Sequence, residues 1–93
     1  MAADCKLIDN KEHSRYEYHI GGHVAYVAYE EENGIVHLVR TSVPKALEGR
    51  GIAGLLVEDI LEEIGKRGLK MKPECPYIIA YVKKHPEYQE LLP

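Results

Sequence analysis

The sequence predicts an α+β domain, a compact mixed β-sheet packed with two helices, on three observations. Between Tyr16 and Thr41 three stretches rich in apolar residues are broken by Gly21-Gly22 and Asn33-Gly34, the pattern of an antiparallel meander. From Ile52 onward the apolar spacing becomes that of a helix. A short apolar stretch and a second helical one follow. The strand after the first helix then lies parallel to the strand before it, by the handed crossover rule.

In chain order, residues 1–14 are polar and charged around Leu7-Ile8 and read as a weakly structured terminus or a weak edge strand. Tyr16, Tyr18 and Ile20 alternate with polar neighbours, as in a half-buried strand. Gly21-Gly22 tolerates the positive φ of a tight hairpin. His23 to Tyr29 is apolar on both faces and is placed in the middle of the sheet. The acidic run Glu30 to Glu32 with Asn33-Gly34 is expected to close that strand, and Ile35 to Thr41 forms the next. Ile52, Leu55, Leu56, Ile60 and Ile64 fall on one helical face, opposite Glu58, Asp59, Glu62 and Glu63. Lys66-Arg67 suit the C-terminal end of that helix, and Gly68 stops it. Leu69 to Pro73 is a short strand whose pairing should fail near Cys75, because Pro73 and Pro76 cannot donate to a ladder. Tyr77 to Lys84 forms the last helix, ended by His85-Pro86.

The 93 residues are read as one domain, 1–93. A chain of this size buries only about two thirds of its unfolded surface, so its core is modest. Phe and Trp are absent, and the seven Tyr carry all the aromatic bulk. A net charge of −3 with no basic block argues against a nucleic-acid partner, whose affinity rests on phosphate neutralisation. No apolar run approaches the roughly 18 residues of a membrane span. The first residues lack the apolar core of a signal peptide. Two cysteines, Cys5 and Cys75, do not make a disulfide framework. A reduced, cytoplasmic, monomeric domain is expected. Five histidines (13, 19, 23, 37, 85) show no recognisable ligand set, and no metal is expected.

The most informative stretch is Thr41 to Leu56, where Gly49, Gly51 and Gly54 open a helix. A glycine turn at a helix start leaves backbone N–H groups aimed at one point, a seat for phosphate. Gly49-Arg-Gly51-Ile-Ala-Gly54 matches the dinucleotide fingerprint literally. The surroundings do not: that fingerprint follows its strand at once, in the first unit of a large parallel sheet. Here three antiparallel strands precede it, and Pro44 with its neighbours separates Thr41 from Gly49. No Gly-Lys-Ser/Thr is present for a Walker loop.

From Tyr16 to Leu92 the sequence resembles the GNAT acetyltransferase superfamily, and more closely its smallest branch, short stand-alone domains with a cysteine after the fourth strand. The resemblance is carried by Thr-Ser-Val-Pro (41–44), Glu-Gly-Arg-Gly-Ile-Ala (48–53), Pro-Glu-Cys-Pro-Tyr (73–77) and Tyr-Val-Lys-Lys-His-Pro-Glu-Tyr (81–88), in order and at matching spacing. It implies a GNAT-like fold and acetyl-CoA as co-substrate. The pyrophosphate would be held by Gly49, Arg50, Gly51, Ile52, Ala53 and Gly54, and the pantetheine would lie along the strand near Val43. Lys84 and His85 follow the family's Lys-His-Pro pattern and would contact coenzyme A or end the helix. Tyr81 stands where many members carry a tyrosine that protonates the leaving thiolate. Larger members continue with further strands where this chain ends, so an open site is expected, suited to a protein or a very small acceptor.

Cys75 is the candidate nucleophile or acyl acceptor. With Pro76 at the first helical position, Cys75 becomes the N-cap, which lowers a thiol pKa, while Glu74 opposes the shift. It is expected to react with thiol reagents faster than Cys5. The chain departs from the resemblance at Arg40 and Ser42, where close relatives usually carry a histidine and a glutamate. No carboxylate base is then evident for an amine acceptor. His37, on the same strand, has the wrong parity relative to Ser42. The expected function is transfer of an acetyl group from acetyl-CoA to an amine or thiol acceptor. The alternative is a non-catalytic acyl-CoA-binding or interaction module.

Overall fold

Two tight turns and one crossover set the sheet. The computed structural model describes residues 6–93, so Cys5 lies outside the described residues. The strands are β1 (Ile8–Asn10), β2 (Arg15–Ile20), β3 (His23–Glu32), β4 (Ile35–Ser42) and β5 (Lys70–Pro73), in the spatial order β1-β2-β3-β4-β5. The first four pair antiparallel, and β4 pairs parallel with β5. Helix α1 (Ile52–Lys66) makes the crossover, and α2 (Pro76–Lys84) follows β5. The fold is therefore the predicted mixed sheet with two helices, and Leu7-Ile8 does lead into an edge strand.

Two differences concern β3. The acidic run does not close the strand: Glu30, Glu31 and Glu32 stay in the ladder opposite His37, Val36 and Ile35. Asn33 and Gly34 alone make the turn, with φ of 54° and 80°. Two consecutive positive φ values twist a two-residue turn to match its strands, so the ladder can run up to it. The second difference is that β3 is central but not buried on both sides. Ala25, Val27 and Tyr29 are buried, whereas Val24, Tyr26 and Ala28 are only half-buried.

A third difference changes the geometry of the candidate site. Ala28 pairs with Arg40 but Tyr29 pairs with Leu38, so β4 carries one extra residue, Val39, as a bulge. An extra residue reverses the alternation beyond it. Arg40 and Ser42 therefore share a face with His37, and the parity expected for a regular strand does not hold. Thr41 shares the other face with Val36 and Leu38. His37 still lies five residues from Ser42, about 16 Å along a strand at about 3.3 Å per residue. There its Nδ1 meets Glu74 at 2.7 Å.

One core lies on one face of the sheet. Tyr16, Tyr18, Ala25, Val27, Tyr29, Val36, Leu38 and Met71 meet Leu56, Val57, Ile60, Leu61 and Ile64 of α1 and Ile78 and Val82 of α2. The Tyr18 hydroxyl donates to Asp59, and Tyr88 donates to Glu62 at 2.9 Å, tying the sheet and the 3-10 turn Pro86–Leu91 to α1. Tyr29 likewise donates to Asp9, so these three buried phenols find carboxylate acceptors. On the other face Glu17 is buried and ionised. Burial pushes its pKa up, but hydrogen bonds from His19, Arg15 and Asn10 outweigh that and hold it below the ordinary carboxylate value.

Candidate functional site

Beyond Leu38 and Pro73 strands β4 and β5 share no ladder. The reason is local: the N–H groups of Glu74 and Cys75 both turn onto the Leu38 carbonyl, at 2.9 and 3.1 Å, and Pro76 then starts α2. The gap so opened is bounded by Thr41, Ser42 and Val43 on one side and Cys75 on the other.

Cys75 sits in that gap as the N-cap of α2, with φ −74° and ψ 131° and Pro76 in the first turn. It is 7% exposed. Its Sγ lies 3.4 Å from Thr41 Oγ1. Burial works against the thiolate and is the largest single influence. The Thr41 hydroxyl and the backbone N–H groups of Ile78, Tyr77 and Thr41 together outweigh it, and the thiol pKa falls below its ordinary value. Glu74, expected to oppose this, has its carboxylate on His37 instead. Alkylation of Cys75 by iodoacetamide should therefore rise with a midpoint pH below that of an ordinary thiol. Thr41→Val should move the midpoint upward. A midpoint unchanged by Thr41→Val would mean that the hydroxyl does not stabilise the thiolate.

The glycine loop folds as a cradle. Gly49 and Gly51 have φ of 81° and 72°, the left-handed region, and a Cβ on either would meet nothing within 4 Å. Gly51 is the N-cap of α1, with no side-chain cap. The first intrahelical bond runs from Leu55 N–H to the Gly51 carbonyl at 3.2 Å, so the N–H groups of Ile52, Ala53 and Gly54 precede it and point out of the helix start. A cavity of about 180 Å³ is lined there by Val43, Leu47, Glu48, Gly49, Gly51, Ile52, Ala53, Gly54 and Tyr77. The open cradle and the outward N–H groups fit a pyrophosphate.

A second cavity, of about 400 Å³, is lined by Tyr77, Ala80, Tyr81, Lys84 and His85. Tyr77 lines both, and its hydroxyl lies 3.6 Å from where a Cβ on Gly54 would stand. Tyr81 stacks on His85 with ring centroids 4.1 Å apart. Burial, with Glu58 and other negative neighbours, raises the Tyr81 pKa, so it keeps its proton.

The structure thus brings Val43, Gly49, Gly51, Ile52, Ala53 and Gly54 around one cavity and Tyr81, Lys84 and His85 around its neighbour. Arg50 is exposed and is not among the lining residues. Sequence reasoning missed Tyr77 and Thr41. Tyr77, directly after Cys75-Pro76, could have been noticed as the first aromatic of the last helix. Nothing in the sequence links Thr41 to Cys75. Among the described residues no group of three or more His, Cys, Asp or Glu could hold a metal ion. Among the described residues no helix is long and apolar enough to cross a membrane.

A profile of the GCN5-related N-acetyl-transferase family matches residues 15–91. The chain belongs to this family. Its fold is similar to the solution structure of a GCN5-like candidate N-acetyltransferase from Staphylococcus aureus. The TM-score is 0.72 at 18% identity, over 95% of this chain and 87% of that one. No curated protein matches the sequence.

Proposed function

We propose that this protein binds acetyl-CoA and transfers the acetyl group to an amine or thiol acceptor by way of Cys75. The observation that carries the reading is one of position. The cavity at the glycine loop and the sulfur of Cys75 border the same gap between β4 and β5, with Thr41 touching the sulfur and Val43 lining the cavity. Acetyl-CoA supplies an activated acetyl thioester.

The chain's own groups account for the rest. The N–H groups at the start of α1 and the partial positive charge of that helix end would hold the pyrophosphate. The backbone of β4 beyond Leu38, released from β5, can pair with the pantetheine amides. The Cys75 thiolate, favoured by Thr41 and the first turn of α2, would attack the acetyl carbonyl carbon. Tyr81, with its pKa raised, is able to return a proton to a leaving thiolate. An acceptor nucleophile then takes the acetyl group from Cys75 and leaves the thiolate ready again.

The absence of a carboxylate at Ser42 favours a second reading, a module that binds acyl-CoA without turnover. A thermal-shift series with acetyl-CoA, CoA, NAD and ATP tests what both readings share, since a ligand bound only by the folded state raises apparent stability by RT ln(1 + [L]/Kd). Acetyl-CoA and CoA should each raise the melting temperature. No shift with either overturns both readings, and a shift with NAD alone restores the dinucleotide reading of the glycines. Turnover of acetyl-CoA that is lost on replacing Cys75 then separates transferase from module.

A further inference from the structure

We propose that Tyr26 takes the proton from an amine acceptor, on the sheet face opposite the helices, where Arg40 and Ser42 hold its phenol. The inference deepens the acetyltransferase reading and rests on it.

The helices and the glycine-loop cavity occupy one side of the sheet, and Val43 and Thr41 face that side. An acceptor meeting a thioester in the gap between β4 and β5 has the other side left to approach from. The residue facing that side at the gap is Ser42, and its direct cross-strand partner is Tyr26. Among the described residues no helix packs on this face. Tyr26 is half-buried there, so its hydroxyl can reach an incoming ligand.

Three groups converge on the phenol. Arg40 Nη2 donates to the Tyr26 hydroxyl at 3.4 Å. The Arg15 guanidinium lies over the ring, with Cζ 4.3 Å from its centroid. Ser42 stands directly across the strand from Tyr26 and favours its phenolate. The Arg40 hydrogen bond and charge, the Ser42 hydroxyl and Arg15 outweigh burial and lower the phenol pKa. Glu17, the partner of Tyr26 on β2, is already committed to Arg15, His19 and Asn10. Arg40 pairs with no carboxylate among the described residues. Its charge is therefore available to a phenolate.

The step balances. The nitrogen of a neutral amine forms a C–N bond to the acetyl carbon, and its N–H proton passes to the Tyr26 phenolate, directly or through one water. The C–S bond breaks, and its electron pair leaves with the sulfur as thiolate. The phenol afterwards returns the proton to solvent.

The test measures CoA release from acetyl-CoA, with ethanolamine as the amine, across a pH series, and acetyl-CoA thermal shifts for the same proteins. Tyr26→Phe keeps the ring under Arg15. It should keep the acetyl-CoA shift while the ethanolamine-dependent rate falls roughly 100-fold, the low end for a general base. It should also flatten the rising limb of the pH profile. Arg40→Met should move that limb to higher pH, because the phenolate loses its main stabiliser; this variant also covers a Tyr26→Phe protein that fails to fold. Unchanged limbs in both variants overturn the proposal. So does a wild-type protein that shifts with acetyl-CoA yet shows no ethanolamine-dependent release. A wild-type protein with no acetyl-CoA shift overturns the underlying reading instead.

Discussion

Replacing Cys75 with alanine should reduce acetyl transfer by roughly three orders of magnitude or more, the scale expected when a nucleophile is removed from a covalent mechanism. Acetyl-CoA binding should change little. The sulfur is 7% exposed and lies 3.4 Å from Thr41 Oγ1, so the substitution removes a small buried group and costs the fold about 1 kcal/mol. A domain of ordinary stability survives that loss. The cavity at the glycine loop is lined by other residues and stays intact. A thermal shift with acetyl-CoA that persists while turnover disappears therefore assigns the chemistry to the sulfur. Full turnover in the alanine variant would make Cys75 a packing residue and direct attack by the acceptor the mechanism.

Replacing Gly51 with valine should weaken acetyl-CoA binding by roughly 100-fold, about 2.8 kcal/mol at 1.4 kcal/mol per tenfold. Two effects add. Gly51 has φ 72°, where a β-branched residue is a genuine outlier and a left-handed non-glycine costs roughly 1–2 kcal/mol. The isopropyl group would also stand in the space beside the N–H groups of Ile52 and Ala53 that the pyrophosphate needs. Gly68→Val separates the two. Gly68 has φ 70° at the far end of α1 and lines neither cavity, so this variant carries the strain without the obstruction. Titration calorimetry should give Gly68→Val nearly wild-type affinity. Equal affinity in the two valine variants would remove the glycine loop from the binding site.

Most of the architecture was legible in the sequence because it is set by short-range signals. Gly21-Gly22 and Asn33-Gly34 demand positive φ, and the tyrosines before Gly21 alternate with polar residues, so the meander follows from neighbours in the chain. The apolar spacing from Ile52 to Ile64 likewise names the buried face of α1. The bulge at Val39 left no such mark. It has no glycine or proline, and only the register on both sides shows that one residue is extra. That residue decides which side chains share a face with Ser42, which is why His37 was misplaced by simple alternation. The burial of Glu17 was equally hidden, since a carboxylate is tolerated there only because Arg15, His19 and Asn10 converge on it.

The candidate site divides along the same line. The glycine cradle and the N-cap position of Cys75 follow from local backbone rules. The Thr41–Cys75 contact joins residues 34 apart, and the Tyr26–Arg40 contact joins residues 14 apart. Their pairing is fixed by sheet register and by the gap between β4 and β5. At Ser42 the sequence showed only a missing carboxylate. The structure places a tyrosine directly across the strand from it.

Intact-mass measurement of the protein after brief exposure to acetyl-CoA, followed by peptide mapping, tests the central claim most directly. The account predicts one added acetyl group, carried by Cys75, released by hydroxylamine as a thioester is, and absent in Cys75→Ala. A protein that binds acetyl-CoA and turns it over while Cys75 never carries the group, and that turns over equally well as Cys75→Ala, would contradict it.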